Sequence, residues 1–155
     1  MPLCLRRAVP ADAPTIVEFN LRLAQESEGK TLDPATLAPG VAAGLADENK
    51  ALYFVAEDNS AIVGQLMLTR EWSDWRNGWI WWIQSVYVRA EFRRRGVFRA
   101  LYQHVHGLAV ADPGVIGLRL YVEHNNHVAQ QTYLGLGMER TGYFVLERCP
   151  LDQGE

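Results

Sequence analysis

The sequence predicts an α+β fold: one mixed, mostly antiparallel central sheet of about six or seven strands, flanked by about four helices. Three observations point there. The hydrophobic period switches repeatedly between two and near four along the chain, turn residues separate the segments, and one strand in the middle is apolar on both faces. With 155 residues, 48% of them hydrophobic, the chain can bury one sizeable core but not two, so residues 1–155 read as a single domain.

A strand over Leu3 to Ala8 leads through Pro10 to a helix that Asp12 can cap, with Ile16, Phe19 and Leu23 on one face. Asp33 and Pro34 start a second helix carrying Leu37, Val41 and Leu45, which Pro39 and Gly40 are expected to break. Ala51 to Glu57 and Ala61 to Thr69 form a hairpin around Asp58, Asn59 and Ser60, with Ile62, Leu66 and Leu68 expected on one side. Trp79 to Val88 is the central strand, with Trp79, Trp81 and Ile83 on one face and Ile80, Trp82, Val86 and Val88 on the other. A helix starts near Val97, with Leu101, Val105 and Leu108 in its stripe, and closes at Asp112, Pro113 and Gly114. Leu118, Leu120 and Val122 alternate with polar residues in a further strand; a helix follows over about Asn126 to Leu136, ended by Gly137, and Gly142 to Arg148 reads as a last strand.

Composition excludes several classes. A net charge of -3 gives no global attraction to nucleic acid or an anionic membrane, and no apolar run reaches the length of a membrane span. The N-terminus lacks the apolar stretch of a signal peptide, so a cytoplasmic protein is expected. Cys4 and Cys149 make neither a disulfide framework nor a metal site and read as reduced strand residues. His104, His106, His124 and His127 lack further ligands at metal spacing, so no metal is expected.

The stretch most informative about chemistry follows the central strand: Arg93, Arg94, Arg95, Gly96, Val97, Phe98 and Arg99, running into a helix. A strand, a short glycine-containing loop and a helix start bring unpaired backbone N–H groups and the positive end of a helix dipole to one point, which suits a phosphate. Gly96 permits the tight turn, and the arginines add attraction for a pyrophosphate. Taken alone, the arginine run also reads as a solvated face. It is neither a Walker loop nor a dinucleotide fingerprint, since the closing Lys-Ser/Thr and the further glycines are absent.

Val86, Tyr87, Val88, then Arg93, two residues, Gly96 and a helix resemble the coenzyme A pyrophosphate loop of the GCN5-related N-acetyltransferase (GNAT) superfamily, with Phe98 standing where the family has Gly or Ala. Asn126, Ala129 and Tyr133, followed by Gly137 and Met138, are similar to the family's second coenzyme A motif. The resemblance implies a GNAT fold with a splay between strands four and five. Backbone groups of Val86, Tyr87 and Val88 would meet the pantetheine, and Arg93 to Arg99 the pyrophosphate; Asn126 would lie beside the pantetheine arm. It further implies acetyl-coenzyme A as cosubstrate, an amine attacking the thioester directly, a backbone N–H of the fourth strand at the oxyanion, and Tyr133 donating a proton to the departing thiolate.

Tyr133 also fits a buried stripe with Ala129 and Leu136, and Asn126 also suits a helix N-cap. A protonated amine must lose a proton before attack, and many relatives place Glu where this chain has Gln84, which is no base. Glu71, Asp74, Glu123 and His124 are the alternatives. Glu71, Trp72, Asp74 and Trp75 also make a candidate acceptor subsite, carboxylates among tryptophans suiting an ammonium, although a packing role fits equally. The expected activity is N-acetylation of a small amine, polyamine, amino acid or antibiotic. A protein lysine or N-terminal acceptor, or a non-catalytic acyl-coenzyme A binder, are the alternatives, and homodimerisation follows from the resemblance alone.

Overall fold

The computed structural model describes residues 2–151. Contacts divide the chain into two compact units, the first ending at Tyr121 and the second beginning at Val122.

The first unit holds strand β1 (Cys4–Arg7), helices α1 (Ala13–Glu28) and α2 (Pro34–Ala46), strands β2 (Leu52–Asp58), β3 (Ala61–Ser73) and β4 (Gly78–Val88), helix α3 (Val97–Ala111) and strand β5 (Val115–Leu120). The sheet order is β1-β2-β3-β4-β5. Neighbours from β1 to β4 run antiparallel, and β5 lies parallel to β4, as a strand reached by a helical crossover can. The mixed α+β architecture follows the sequence, with five strands among the described residues rather than six or seven.

Most helix boundaries follow their signals. The Asp33 side chain accepts from the Ala35 N–H at 3.0 Å and starts α2. Asp12 does not cap α1: its carboxylate is held instead by Arg6 at 2.7 and 3.0 Å and by the Val9 N–H at 2.8 Å, and Arg6 also engages Glu57. Pro39 and Gly40 do not break α2, because Val41 and Gly44 are buried, Val41 in one core cluster with Ile16, Ala51 and Tyr53. On α3 the buried residues are Val97, Leu101, Tyr102, Val105 and Ala109, while Leu108 is left 41% exposed.

Two bulges re-aim strand faces. Ala56 pairs with Gly64 but Glu57 with Ile62, so Ile62 turns away from the face of Gly64, Leu66 and Leu68. Gln65 pairs with Tyr87 and Met67 with Gln84, so Ser85 and Val86 together oppose Leu66. Past this second bulge the parity of β4 is reversed: Tyr87 joins the face of Trp82 and Gln84, whereas Val86 and Val88 leave it.

The second unit contains α4 (His127–Gly135), started by the Asn126 side chain accepting from the Ala129 N–H at 3.1 Å and followed by Gly137 at φ 95°. The strand expected over Gly142 to Arg148 does not form. Among its described residues this unit holds no strand for the segment to pair with, and a lone strand leaves its backbone groups unsatisfied. Cys149 is therefore not a strand residue, though Cys4 is, and both are free and exposed. No helix among the described residues is long and apolar enough to cross a membrane.

Candidate active site

The arrangement around β4 starts from its ladders. The parallel pairing with β5 runs from Trp79↔Val115 to Ile83↔Leu120 and stops there. From Gln84 to Val88, β4 keeps β3 on one side and, among the described residues, pairs with no strand on the other, so its main chain offers an open edge of the kind that pairs with an extended ligand. The bulge lies within this stretch. Ser85 adopts φ 53°, a conformation costly for a residue with a side chain, and the Gln65 amide donates to its carbonyl oxygen at 3.0 Å.

Beyond β4 the chain makes a short turn and enters α3. Gly96 precedes the helix at φ 79°, no side chain caps it, and a Cβ built on it meets nothing within 4 Å. Helix geometry leaves the N–H groups of Gly96 and Val97 without intrahelical acceptors beside the positive end of the dipole. Arg94 also has positive φ, at 64°, and the arginines from 93 to 95 and Arg99 are exposed. The space, the donors and the charge fit a diphosphate.

Arg93 is not simply solvated. Its Nε donates to the Val88 carbonyl at 3.0 Å, its Nη2 to Glu26 of α1 at 2.6 Å, and its guanidinium lies over the Tyr87 ring. The Tyr87 hydroxyl donates to the other Glu26 oxygen at 2.7 Å, and Phe19 packs on the Tyr87 ring at 5.1 Å. These bonds from Tyr87 and Arg93 hold the Glu26 carboxyl below its ordinary value, while burial and then Glu26 push the Tyr87 phenol up. Arg93 and Glu26 are both more than 40% exposed, so their bridge contributes only about 0–1 kcal/mol, and Arg93 can exchange Glu26 for another anion at small cost.

On the other part of the sheet, cross-strand register gathers Thr69 and Glu71 of β3, Trp82 and Gln84 of β4, and Arg119 of β5 on one face. Glu71 accepts from the Trp82 indole N–H at 2.8 Å and from Arg119 at 3.4 Å, and Tyr121 packs on the Trp82 ring at 4.6 Å. Gln84 donates to Thr69 Oγ1 at 2.6 Å. Trp72 faces the opposite side, edge-on to Trp79, and Asp74 and Trp75 sit in the hairpin turn, where Asp74 accepts from the Trp75 N–H. The structure thus divides the expected cluster of Glu71, Trp72, Asp74 and Trp75 instead of assembling it.

Asn126 and Tyr133 belong to the second unit, on one helix about two turns apart. Burial pushes the Tyr133 phenol up, since the phenolate is the form that desolvation penalises. Glu123 accepts from the Asn125 N–H at 2.9 Å and shapes the turn before α4. Among the described residues no three metal-ligating side chains gather.

Sequence reasoning overlooked Gln65, Glu26, Thr69, Arg119 and Tyr121. For Gln65 a signal existed: a glutamine inside the apolar strand from Ile62 to Leu68, where a polar residue needs a reason.

A family model described as "Acetyltransferase (GNAT) family" matches residues 18–138. A crystal structure of a possible acetyltransferase from Clostridium difficile 630 is 43% identical, covering 98% of this chain and 100% of that one, with a TM-score of 0.91. A predicted acetyltransferase from Clostridium acetobutylicum, solved with acetyl-CoA, is 16% identical over 95% of this chain and 96% of that one, at a TM-score of 0.78. A ribosomal-protein-alanine N-acetyltransferase from Brucella melitensis is 14% identical over 95% and 99%, at 0.77. The last two likenesses concern the fold. Among curated proteins none matches the chain.

Proposed function

The chain belongs to the GNAT acetyltransferase family, and from that premise we propose that it transfers an acetyl group from acetyl-coenzyme A directly to a primary amine on a small molecule. The observation that carries this reading is the open stretch of β4, bulged at Ser85, followed at once by a helix whose uncapped N-terminus lies beside Gly96. The family match spans residues 18–138 and so crosses both units, which supports their acting as one acetyltransferase domain.

When bound, the thioester supplies the acetyl group; the chain's own residues do the rest. The N–H groups at Gly96 and Val97, with Arg94, Arg95 and Arg99, hold the diphosphate, and Arg93 joins them by leaving Glu26. The main chain of Val86, Tyr87 and Val88 pairs with the pantetheine, and Asn126 flanks it. A backbone N–H at the bulge meets the charge that develops on the acyl oxygen, and Phe98 bounds the loop. Tyr133, kept protonated by burial, gives its proton to the departing thiolate. Gln84 supplies no base, and of the two carboxylates considered in the first unit, Glu71 and Asp74, it is Glu71 that shares the sheet face of Gln84, so Glu71 is the group that draws in the ammonium and takes its proton through solvent.

A panel of amines, followed by the appearance of free coenzyme A thiol, tests this. Thiol release above the amine-free background with at least one small amine is the expected result. Binding of acetyl-coenzyme A without release for any amine would instead favour a non-catalytic binder, and release only with peptides a protein acceptor. We also place the protein in the cytoplasm and as a homodimer: Tyr143, Phe144, Val145 and Leu146 are 66–93% exposed, apolar surface for a second copy to cover.

A further inference from the structure

Gln65 is fully buried in β3, and its two amide atoms have different fates. Nε2 donates to the Ser85 carbonyl oxygen at 3.0 Å, while Oε1 is buried and meets no donor among the described residues. The amide cannot be turned the other way, because Oε1 would then face the Ser85 oxygen. A buried acceptor without a donor costs stability, so what glutamine brings to this position is the donor that its other amide atom gives to the Ser85 oxygen.

Ser85 is the residue of the β4 bulge with positive φ, and its carbonyl shares a rigid plane with the Val86 N–H. In a trans peptide the C=O and N–H point in opposite directions. Fixing the Ser85 oxygen on the Gln65 amide therefore also fixes the Val86 N–H, directed away from Gln65, in the stretch of β4 that β5 no longer pairs. We propose that Gln65 is a positioning residue for acyl transfer: by holding the Ser85–Val86 peptide plane across the bulge, it aims the Val86 N–H at the acyl oxygen. This rests on the acetyltransferase reading above and names the part of β3 that serves it.

The test uses full-length protein labelled with 15N-valine and compares wild type, Gln65→Met and Gln65→Glu. In wild type the Val86 amide resonance moves on adding acetyl-coenzyme A, and moves less on adding coenzyme A, which lacks the acyl oxygen. In Gln65→Met that difference disappears and turnover with the best amine of the panel drops about tenfold or more, since a preorganised donor has been released. Affinity for coenzyme A stays within twofold while turnover falls, a split that loss of a merely structural residue would not produce. Gln65→Glu loses turnover at neutral pH, where its carboxylate faces the Ser85 oxygen, and regains it relative to wild type on acidification, when the protonated acid can donate. If wild type fails to bind acetyl-coenzyme A, the acetyltransferase reading falls and this inference with it. If wild type binds and its Val86 amide responds, but both variants match it in response and turnover, only the role of Gln65 is overturned.

Discussion

Gly64→Ala is the substitution whose outcome follows most directly from the coordinates. Gly64 lies in β3 where α3 begins, and a Cβ built there falls 2.7 Å from Val97 Cγ1, with Leu101 Cδ1 and the Tyr87 carbonyl oxygen each at 3.4 Å. That is about 0.8 Å inside the ordinary carbon–carbon separation of about 3.5 Å. Val97 is 2% exposed and is the first residue of α3, where a β-branched side chain has essentially one rotamer, so it cannot swing aside. The helix start must move. Overpacking of this kind costs about 1–3 kcal/mol, and about 2–4 °C of melting temperature is lost per kcal/mol in a domain of this size. A fall of about 2–12 °C is expected. Because Val97 carries one of the N–H groups assigned to the diphosphate, affinity for acetyl-coenzyme A should drop about tenfold, the equivalent of about 1.4 kcal/mol. Calorimetry and fluorescence titration read the two effects. Val97→Ala removes the clashing methyl, so the double variant should bind better than Gly64→Ala alone, a coupling that a double-mutant cycle quantifies. Without a clash, Gly→Ala in ordinary backbone stabilises by about 0.4–1 kcal/mol. A raised melting point with unchanged affinity would therefore refute the placement of α3 on Gly64.

Three further outcomes are expected. Gly96→Glu should abolish acetyl-coenzyme A binding in equilibrium dialysis, because it sets a like charge at the diphosphate position and a side chain at φ 79°; retained affinity would move the phosphate site elsewhere. Tyr133→Phe should lower kcat with acetyl-coenzyme A affinity unchanged, and the wild-type rate should not fall at mildly alkaline pH through loss of this proton, since the raised phenol stays protonated there; equal loss of kcat and affinity would assign Tyr133 to binding. Asp12→Asn should destabilise by about 1.5–3 kcal/mol at neutral pH, the range for a hydrogen bond to a charged partner. Arg6 depresses the Asp12 carboxyl, so its stabilisation is complete above the ordinary value of 3.8 and disappears as pH falls through the lower folded value; urea midpoints of the two proteins should converge in acid.

Where the sequence was legible, local chemistry and tertiary need agreed. The β2–β3 hairpin, the glycine before α3 and the Asn126 cap are all short-range signals, and each stands where turn and cap chemistry put it. The Gly142 to Arg148 segment failed for a long-range reason. Its run of aromatic and branched apolar residues from Tyr143 to Leu146 states a preference for a strand, yet a strand exists only beside a partner, and that partner is not written in the segment itself. Asp12 failed for a similar reason: a short carboxylate before a helix looks like a cap until Arg6, from a neighbouring strand, competes for it.

The bulge was the costliest omission, because reading β4 as an unbroken strand placed Val86 and Val88 on the wrong face of the sheet. Its trace lies in two places at once. β4 is apolar from Trp79 to Ile83, then polar at Gln84 and Ser85, then apolar again; β3 is apolar from Ile62 to Leu68 except at Gln65. Neither interruption means much alone, since a single polar residue in a strand is usually a solvent-facing position. Once the hairpin closes with Ser73 opposite Gly78, however, a regular ladder would bring Gln65 across from Val86, next to Ser85. The buried Gln65 amide needs a hydrogen-bond partner, and it finds one in the main-chain carbonyl of Ser85, which the ladder turns toward it. A bulge is the way an antiparallel pair does so, and it follows from the pairing of two unremarkable residues that no single-strand pattern can express.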